Sequence, residues 1–159
     1  MEIIEYFTFQ PGTADYQEFL SFLEETDDIM IPPMSTRVNL EDYAKKVVKN
    51  ATMFVAKKGN EWIGVEAVYV NEFPEFSYTT YLGVKEEYQN NSSVGMELMI
   101  SCKRYLKKIR TKGLRFGIRK SNNALLNYHI KTGGKITGEH TYPGTDIVEV
   151  EMEKIFIKD

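Results

Sequence analysis

The chain has 159 residues, with 20 lysines and arginines against 23 aspartates and glutamates, which gives a net charge of −3. This length suits one domain with a hydrophobic core, and the charge gives no general attraction for nucleic acid. The single cysteine, Cys102, excludes an internal disulfide, and no apolar run approaches the length of a membrane span. The acidic N-terminal stretch MEIIEYFTF lacks the pattern of a signal peptide, so we expect a cytoplasmic protein without a membrane partner.

The first third of the chain predicts one strand and two helices. Residues 3–9 mix β-branched and aromatic side chains, as a strand does. An amphipathic helix follows, for which Thr13 is the expected cap. Two prolines within residues 27–38 predict an irregular connection. Asn39 is then expected to cap a second amphipathic helix.

From Thr52 onward the apolar period changes to that of strands. The pattern predicts strands over residues 53–57, 62–70, 76–84, 114–120, 135–140 and 146–154. A long amphipathic helix starts at about Ser93, and a short helix runs from about residue 121 to residue 130. The strand after the long helix should pair parallel with the strand before it, because a helical crossover joins them. Cys102 falls on the apolar stripe of the long helix and is interpreted as a buried hydrophobe.

A polar loop connects the strand over residues 76–84 with the long helix. It contains small or turn-forming residues, namely Asn90, Asn91, Ser92, Ser93 and Gly95. The backbone N–H groups of such a loop, together with the free N–H groups and the positive dipole end of the helix, can hold an anion. The same composition also suits a simple strand-to-helix connection, so both interpretations remain open.

The residue order around this loop resembles the acyl-CoA loop of the GNAT superfamily of N-acetyltransferases. The matching stretches are Leu82-Gly83-Val84, Glu87-Tyr88-Gln89, Val94-Gly95 and Leu98-Met99. The loop has one extra residue here, and a serine replaces the first glycine of the family pattern. The resemblance implies that acetyl-CoA is the acyl donor. It implies these cofactor-binding residues: Leu82, Gly83, Val84, Gln89, Asn90, Asn91, Ser92, Ser93, Val94, Gly95 and Met96.

The order of predicted elements resembles the whole GNAT fold. That fold is of the α/β (α+β) class, with a mixed, mostly antiparallel sheet of six to seven strands and about four flanking helices. A splayed parallel pair of strands lies at its centre, and the pantetheine arm of the cofactor lies in the splay, here near Leu82 and Val84. The resemblance implies a single acetyltransferase domain over residues 1–159.

A second family motif falls on the short fourth helix. The family pattern N-x-x-A-x-x-L-Y-x-x-x-G-F places Asn122 as the helix cap and a cofactor contact, and it places His129 where the family has its tyrosine. Tyr128 stands one position earlier. Either side chain is a candidate acid for the departing CoA thiolate, His129 as an imidazolium and Tyr128 as a phenol. The alternative for His129 is a packed, hydrogen-bonded residue beside Leu125 and Leu126.

A base for the acceptor amine is harder to identify. Glu66 is the one carboxylate inside the apolar stretch over residues 63–70, and burial there would raise its pKa towards a useful range. A solvent-facing or edge position is the alternative, and proton loss through ordered water is another. The two histidines and the cysteine show no metal-ligand spacing, and no GxSxG or P-loop motif occurs.

The resemblance implies an acetyl-CoA-dependent N-acetyltransferase acting by direct attack on the primary amine of a small molecule, such as an amino sugar or an amino-acid-like acceptor. In this fold the acceptor enters between two loops, here residues 28–37 and 140–145, with Tyr78 and Tyr81 nearby. A GNAT-fold acyl-CoA-binding or regulatory module without turnover is the main alternative, and O-acetylation is a third. The last strands of such sheets are often available for pairing, which allows a homodimer.

Overall fold

The computed structural model describes residues 3–73, 75–89 and 93–156. Its helices and strands, in chain order, are β1 (Ile4–Phe9), α1 (Tyr16–Thr26), α2 (Leu40–Asn50), β2 (Thr52–Lys58), β3 (Glu61–Phe73), β4 (Phe76–Val84), α3 (Val94–Lys108), β5 (Gly113–Arg119), α4 (Asn123–Lys131), β6 (Lys135–Thr141) and β7 (Val148–Ile155). Short 3-10 helices occupy Asp27–Ile29, Met34–Thr36 and Glu86–Tyr88. In the part of the chain so described, no helix is long and apolar enough to cross a bilayer. The same residues contain no cluster of histidine, cysteine and carboxylate side chains that could hold a metal ion.

These strands form a seven-stranded mixed sheet in the order β1-β2-β3-β4-β5-β7-β6. β5 pairs antiparallel with β7, whereas β4 and β5 run parallel. The parallel register covers only Phe76–Tyr78 of β4 and ends well before that strand does, at Val84. The predicted mixed sheet with a splayed parallel pair is therefore confirmed.

Local capping residues explain where the first helices begin. Asn39 caps α2 as predicted, because its Oδ1 accepts a hydrogen bond from the Asp42 N–H at 3.0 Å. The prediction that Thr13 caps α1 is wrong. Asp15 caps that helix by accepting from the Gln17 N–H at 2.8 Å, whereas the Thr13 hydroxyl donates to the Gln10 carbonyl at 2.7 Å. A carboxylate two residues closer to the helix thus outcompetes the hydroxyl for the free N–H groups.

The chain divides into two compact units, and the first comprises residues 1–69 and 80–105. In it, α1 and α2 pack on one face of the strands. The largest fully buried side chains of that core include Phe19, Phe22, Val47, Met53, Val55 and Val65. Each contributes roughly 1.5–3 kcal/mol by leaving water. Successive strand residues point to opposite faces, so Gly64 faces the other way, towards Val94 and Leu98 of α3.

The second unit comprises residues 70–79 and 106–159. Its sheet has a helix face, where Phe116, Val150 and Met152 are buried and α4 packs. Its opposite side, the open face, bears Arg115, Gly117, Arg119, His140, Glu149, Glu151 and Glu153. The predicted alternation along β7, apolar on one side and acidic on the other, produces these two faces. The expected single domain over residues 1–159 stays a prediction.

Candidate functional site

In the first unit, the start of α3 lies directly against the end of β4. A Cβ atom added to Gly64 would lie 2.9 Å from Cγ1 of Val94 and 3.5 Å from Cγ2 of Val84. A Cβ on Gly95 would lie 3.7 Å from the same Val84 atom. The absence of a side chain at Gly64 therefore lets the first turn of α3 approach the last residue of the strand.

The residues expected to hold the cofactor lie around this contact. Leu82, Gly83 and Val84 are half-buried, and Val94 is fully buried on the side of α3 that faces the sheet. Gln89 and Ser93 are exposed, Gly95 is half-buried, and 37% of Met96 is exposed. The Gln89 Nε2 donates to the Val84 carbonyl at 2.8 Å, which fixes that peptide plane. Asn90, Asn91 and Ser92 lie outside the described residues.

A buried lysine fixes the turn that leaves β4. The Lys85 Nζ lies 2.5 Å from Glu25 at the end of α1 and 2.6 Å from Glu61 at the start of β3. Burial lowers the pKa of Lys85, but the hydrogen bonds and charges of the two glutamates outweigh this, so its pKa is raised. The sequence analysis missed this cluster, because its three members are far apart in the chain and no local pattern connects them.

On β4, the absence of a side chain at Gly83 makes room for the phenol of Tyr81. A Cβ on Gly83 would lie 2.5 Å from the Tyr81 hydroxyl oxygen, so the phenol occupies the space that a side chain would need. The hydroxyl lies 3.2 Å from the Thr26 Oγ1, and burial raises the pKa of Tyr81 to about 12. Tyr81 is therefore a neutral group at physiological pH and cannot accept the proton of an amine as a phenolate.

The loop expected to border the acceptor is closed by a side-chain clamp. Asp27 accepts hydrogen bonds from the Ser35 N–H at 2.9 Å and from the Ser35 hydroxyl. Between them, Met34 is buried whereas Ile31 is 59% exposed. Met34 and Tyr81 belong to the hydrophobic core of the first unit. The packing alternative therefore accounts for both, and the loop as an acceptor border stays a prediction.

Glu66 is buried, with 3% of its surface exposed, so the solvent-facing alternative is wrong. It lies on the α3 side of β3, next to Cys102. Burial raises the pKa of the Cys102 thiol well above its usual range, and the Glu66 carboxylate raises it further. Cys102 is the inert buried residue that the helix pattern predicted. The acceptor is expected near Tyr81, and Tyr81 lies with α1 and α2 on the face of the sheet opposite to Glu66. Glu66 as the base therefore stays only a prediction.

In the second unit, Asn122 caps α4, as predicted. Its Oδ1 accepts a hydrogen bond from the Leu125 N–H at 3.2 Å. The cap places Tyr128 and His129 in the last turns of a helix that ends at Lys131. The contact of Asn122 with a cofactor stays a prediction.

The two candidate acids on α4 have different surroundings. His129 is 7% exposed, and its ring centroid lies 4.6 Å from that of Phe116. Burial and then the charge of Lys154 lower the pKa of His129 to about 4. Its imidazolium form is therefore scarce at neutral pH. Tyr128 is half-buried, with the Lys154 ammonium 5.3 Å from its ring centroid. Because the imidazolium of His129 is scarce, Tyr128 is the preferred candidate acid.

The solved structures with which this chain superposes include several acetyltransferases. The ribosomal-protein-S18-alanine N-acetyltransferase of Escherichia coli superposes with a TM-score of 0.76 at 15% identity, over 96% of this chain and 94% of that one. A GNAT family acetyltransferase of Elizabethkingia anophelis with acetyl-CoA bound gives 0.67 at 19% identity, over 96% and 98%. The chain has the GNAT fold.

A third GNAT-fold neighbour covers less of the chain. It is a candidate streptothricin acetyltransferase of Bacillus anthracis in complex with acetyl coenzyme A, with a TM-score of 0.56 at 21% identity. The match covers 68% of this chain and 64% of the Bacillus protein, so this chain spans less than two thirds of that neighbour. No protein-family model and no curated protein sequence matches the chain. At these identities the structural likeness establishes the GNAT fold, which the sequence analysis predicted.

Proposed function

We propose that the chain is an acetyl-CoA-dependent N-acetyltransferase that acts on the primary amine of a small molecule. The contact of α3 with the end of β4, made through Gly64, carries this proposal. It brings a strand end that can hydrogen-bond to the amides of the pantetheine arm next to a helix N-terminus that can bind the pyrophosphate of the same cofactor. Two of the neighbours described above hold acetyl-CoA, and the name of the Escherichia coli neighbour gives an alanine amine as its acceptor.

The chemistry is direct transfer. A neutral amine attacks the thioester carbonyl carbon, a nitrogen–carbon bond forms, and the carbon–sulfur bond breaks so that sulfur leaves with the electron pair and takes up a proton. The Val84 N–H is the proposed donor to the developing oxyanion. Tyr128 is the proposed acid for the thiolate, because His129 is largely neutral at the pH of the cell.

Cofactor binding is tested first by thermal unfolding with acetyl-CoA, CoA and ATP. A ligand at 100 times its dissociation constant stabilises the folded state by about 2.7 kcal/mol. Gly64→Ala should reduce the shift caused by both CoA ligands, because the new methyl group pushes the first turn of α3 away from the strand. Gly138→Ala is the matched control, since the nearest atom to its added Cβ is 3.9 Å away. Equal shifts for wild type and Gly64→Ala would contradict the proposed position of the cofactor.

Turnover is tested by the release of free CoA thiol from acetyl-CoA in the presence of glucosamine, spermidine or an alanine-terminated peptide. Specific CoA binding without turnover of any amine would favour the second candidate, a GNAT-fold acyl-CoA-binding or regulatory module. The neutral His129 in the place of the family's tyrosine favours that candidate. The same proposal includes a cytoplasmic location and a homodimer.

A further inference from the structure

On the open face of the second unit, one arginine is partly buried without a partner. The Arg119 side chain is half-buried, and its Nε is shielded from solvent. Among the residues that the structure describes, none accepts a hydrogen bond from this Nε, and no carboxylate forms an ion pair with the guanidinium. A guanidinium has five N–H donors and is rarely buried unless it is paired. Arg119 is therefore a donor group available to a ligand.

The carboxylate opposite Arg119 is turned away from it. Arg119 is in register with Glu149 of β7, and directly opposite side chains on one face of a sheet are close enough to form an ion pair. Instead, the Glu149 Oε2 lies 3.1 Å from Nε2 of His140 on β6. A Cβ added to Gly117 would lie 2.5 Å from Cδ of Glu149, so the carboxylate lies over the bare backbone of that glycine. His140 and Gly117 together hold Glu149 in a position that leaves Arg119 unpaired.

The other arginine of this strand face has the partners that Arg119 lacks. The Arg115 Nε donates to Oε2 of Glu153 at 3.0 Å, and its Cζ lies 4.1 Å from the centroid of the Phe76 ring. Both arginines lie on the same face of β5, and each stands opposite a glutamate of β7. The sheet pairs one arginine with its opposite glutamate and leaves the other without a pair. This difference distinguishes Arg119 as a candidate binding residue.

The charges around Arg119 favour a ligand that carries both signs. Glu149 and Glu151 hold the His140 ring between them, with nitrogen–oxygen distances of 3.1 Å and 3.4 Å. Two carboxylates so close to the arginine repel a multiply charged anion such as phosphate. A single carboxylate matches the planar fork of a guanidinium. The Glu151 side chain is 58% exposed, so its carboxylate is accessible to a positive group of the same ligand.

We propose that the open face binds an amino acid as a zwitterion, with Arg119 on its carboxylate and Glu151 on its ammonium. Glu151 is the diagonal neighbour of Arg119 across β5 and β7. Diagonal neighbours are about 7–8 Å apart, a distance that two long side chains and a small ligand can bridge. The inference goes beyond the proposed acetyltransferase function and does not depend on it, because it concerns binding to the second unit alone and assigns no step of the transfer.

The first test titrates the full chain with L-alanine, propionate, ethylamine and inorganic phosphate, and follows the ring proton signals of the histidines. The chain has two histidines, so the His140 signals are assigned by their loss in His140→Gln, and the His129 signals are the internal control. We expect L-alanine to shift the His140 signals to saturation. It should bind at least about 10-fold more tightly than propionate or ethylamine, because each of these lacks one charged contact. Equal or tighter binding of ethylamine or phosphate would overturn the inference.

The second test removes the arginine. Arg119→Gln should raise the Kd of L-alanine by roughly 10- to 100-fold, because it removes the charged donors to the carboxylate. Arg115→Gln is the matched control, since Arg115 lies on the same face of β5 but is paired with Glu153. That variant should change the Kd by less than about threefold. Wild-type affinity in Arg119→Gln would overturn the inference.

Gly117→Ala tests the reason why Arg119 is unpaired. The added methyl group displaces the Glu149 carboxylate from the backbone of β5, and the cation opposite that carboxylate is Arg119. L-alanine should then bind roughly 10-fold more weakly, because the new ion pair competes with it. Thermal unfolding checks that each variant is folded, and wild-type affinity in Gly117→Ala would overturn this account of the site.

These measurements use no acetyl-CoA, so they separate the two proposals. If L-alanine causes no saturable shift of the His140 signals, the amino-acid site is overturned and the proposed function is left intact. Absent CoA binding would contradict the proposed function and leave the amino-acid site supported by a saturable shift.

Discussion

The helix face and the open face of the second unit each carry a histidine, and the two differ in nearly every property that governs chemistry. His129 is buried against Phe116, near the positive charge of Lys154, and its pKa is lowered to about 4. His140 is 44% exposed and lies between two glutamates. The motif position singled out His129, but its surroundings suppress the charged form. The comparison teaches that burial and the nearest charges decide what a histidine can do.

The largest expected difference between the helix face and the open face is the loss of stability when a glycine is replaced by alanine. In Gly134→Ala the new Cβ would lie 2.6 Å from the backbone oxygen of His129 and 3.0 Å from Cε of Met152. Since backbone cannot move aside easily, we expect a loss of about 2–3 kcal/mol of unfolding free energy. In Gly117→Ala the obstacle is the movable end of Glu149, so the loss should be less than about 1 kcal/mol.

Urea unfolding of both variants measures this difference. Equal stability losses in the two variants would contradict the distinction between a rigid helix face and an adjustable open face.

The next effect separates the two candidate acids on α4. We expect Tyr128→Phe to lower kcat by about 100-fold, because it removes the phenolic proton. His129→Gln should change kcat by less than about threefold, because a neutral imidazole contributes little acid at pH 7. Steady-state rates at saturating acetyl-CoA give the answer, with thermal unfolding as a check that each variant is folded. A larger loss in His129→Gln than in Tyr128→Phe would restore His129 as the acid.

A smaller effect concerns stability and pH. The pKa of His129 falls from 6.5 to about 4 on folding, so protons bind more tightly to the unfolded chain. The contribution of His129 to the free energy of unfolding is therefore greatest above about pH 6.5 and is lost as the pH falls towards about 4. We expect a loss of about 2 kcal/mol between pH 7 and pH 4.5, below the full linkage value because pH 4.5 still lies above the folded pKa of about 4.

Urea unfolding at pH 7, 6, 5 and 4.5 measures this dependence, with His129→Gln and His140→Gln as the pair of variants. His129→Gln should flatten the curve, whereas His140→Gln should keep the slope assigned to His129. The reverse pattern would show that the buried histidine is not the source.

The smallest expected effect compares two ion pairs of the second unit. Arg115 and Glu153 lie 3.0 Å apart on the open face, with the glutamate side chain 17% exposed. Lys120 and Glu139 lie 3.4 Å apart, with both side chains at least half exposed. Glu153→Gln should cost about 0.5–1 kcal/mol and Glu139→Gln less than about 0.3 kcal/mol, measured by chemical unfolding. Equal costs would mean that partial burial does not strengthen the first pair.

Much of the fold could be predicted because its signals are local. The bounds of β4 match the predicted residues 76–84. Asn39 caps α2 where its spacing indicated, and Asn122 caps α4 where the family pattern placed it. The cap of α1 was missed because Thr13 and Asp15 both suit that role, and only the path of the backbone selects one of them. β3 runs to Phe73, beyond the predicted residue 70, because pairing within a sheet can override a weak local pattern.

The candidate site was predictable in part. The loop motif located the contact between β4 and α3, but it gave no sign that Gly64, from the preceding strand, makes that contact possible. In the same way, Lys85 meets Glu25 and Glu61 only because three separate elements end near one point. Interactions of this kind depend on residues that are distant in the chain, and apolar periodicity contains no information about them.

The sequence by itself determined the order of elements, the two-faced strands and the resemblance to the GNAT fold, because each depends on neighbours within one or two turns of the chain. Only the tertiary structure decided the surroundings of the two histidines. It buried His129 near a lysine and placed His140 against Glu149 over the bare backbone of Gly117. The physical reason is that burial and charge act through space, over distances that folding alone establishes.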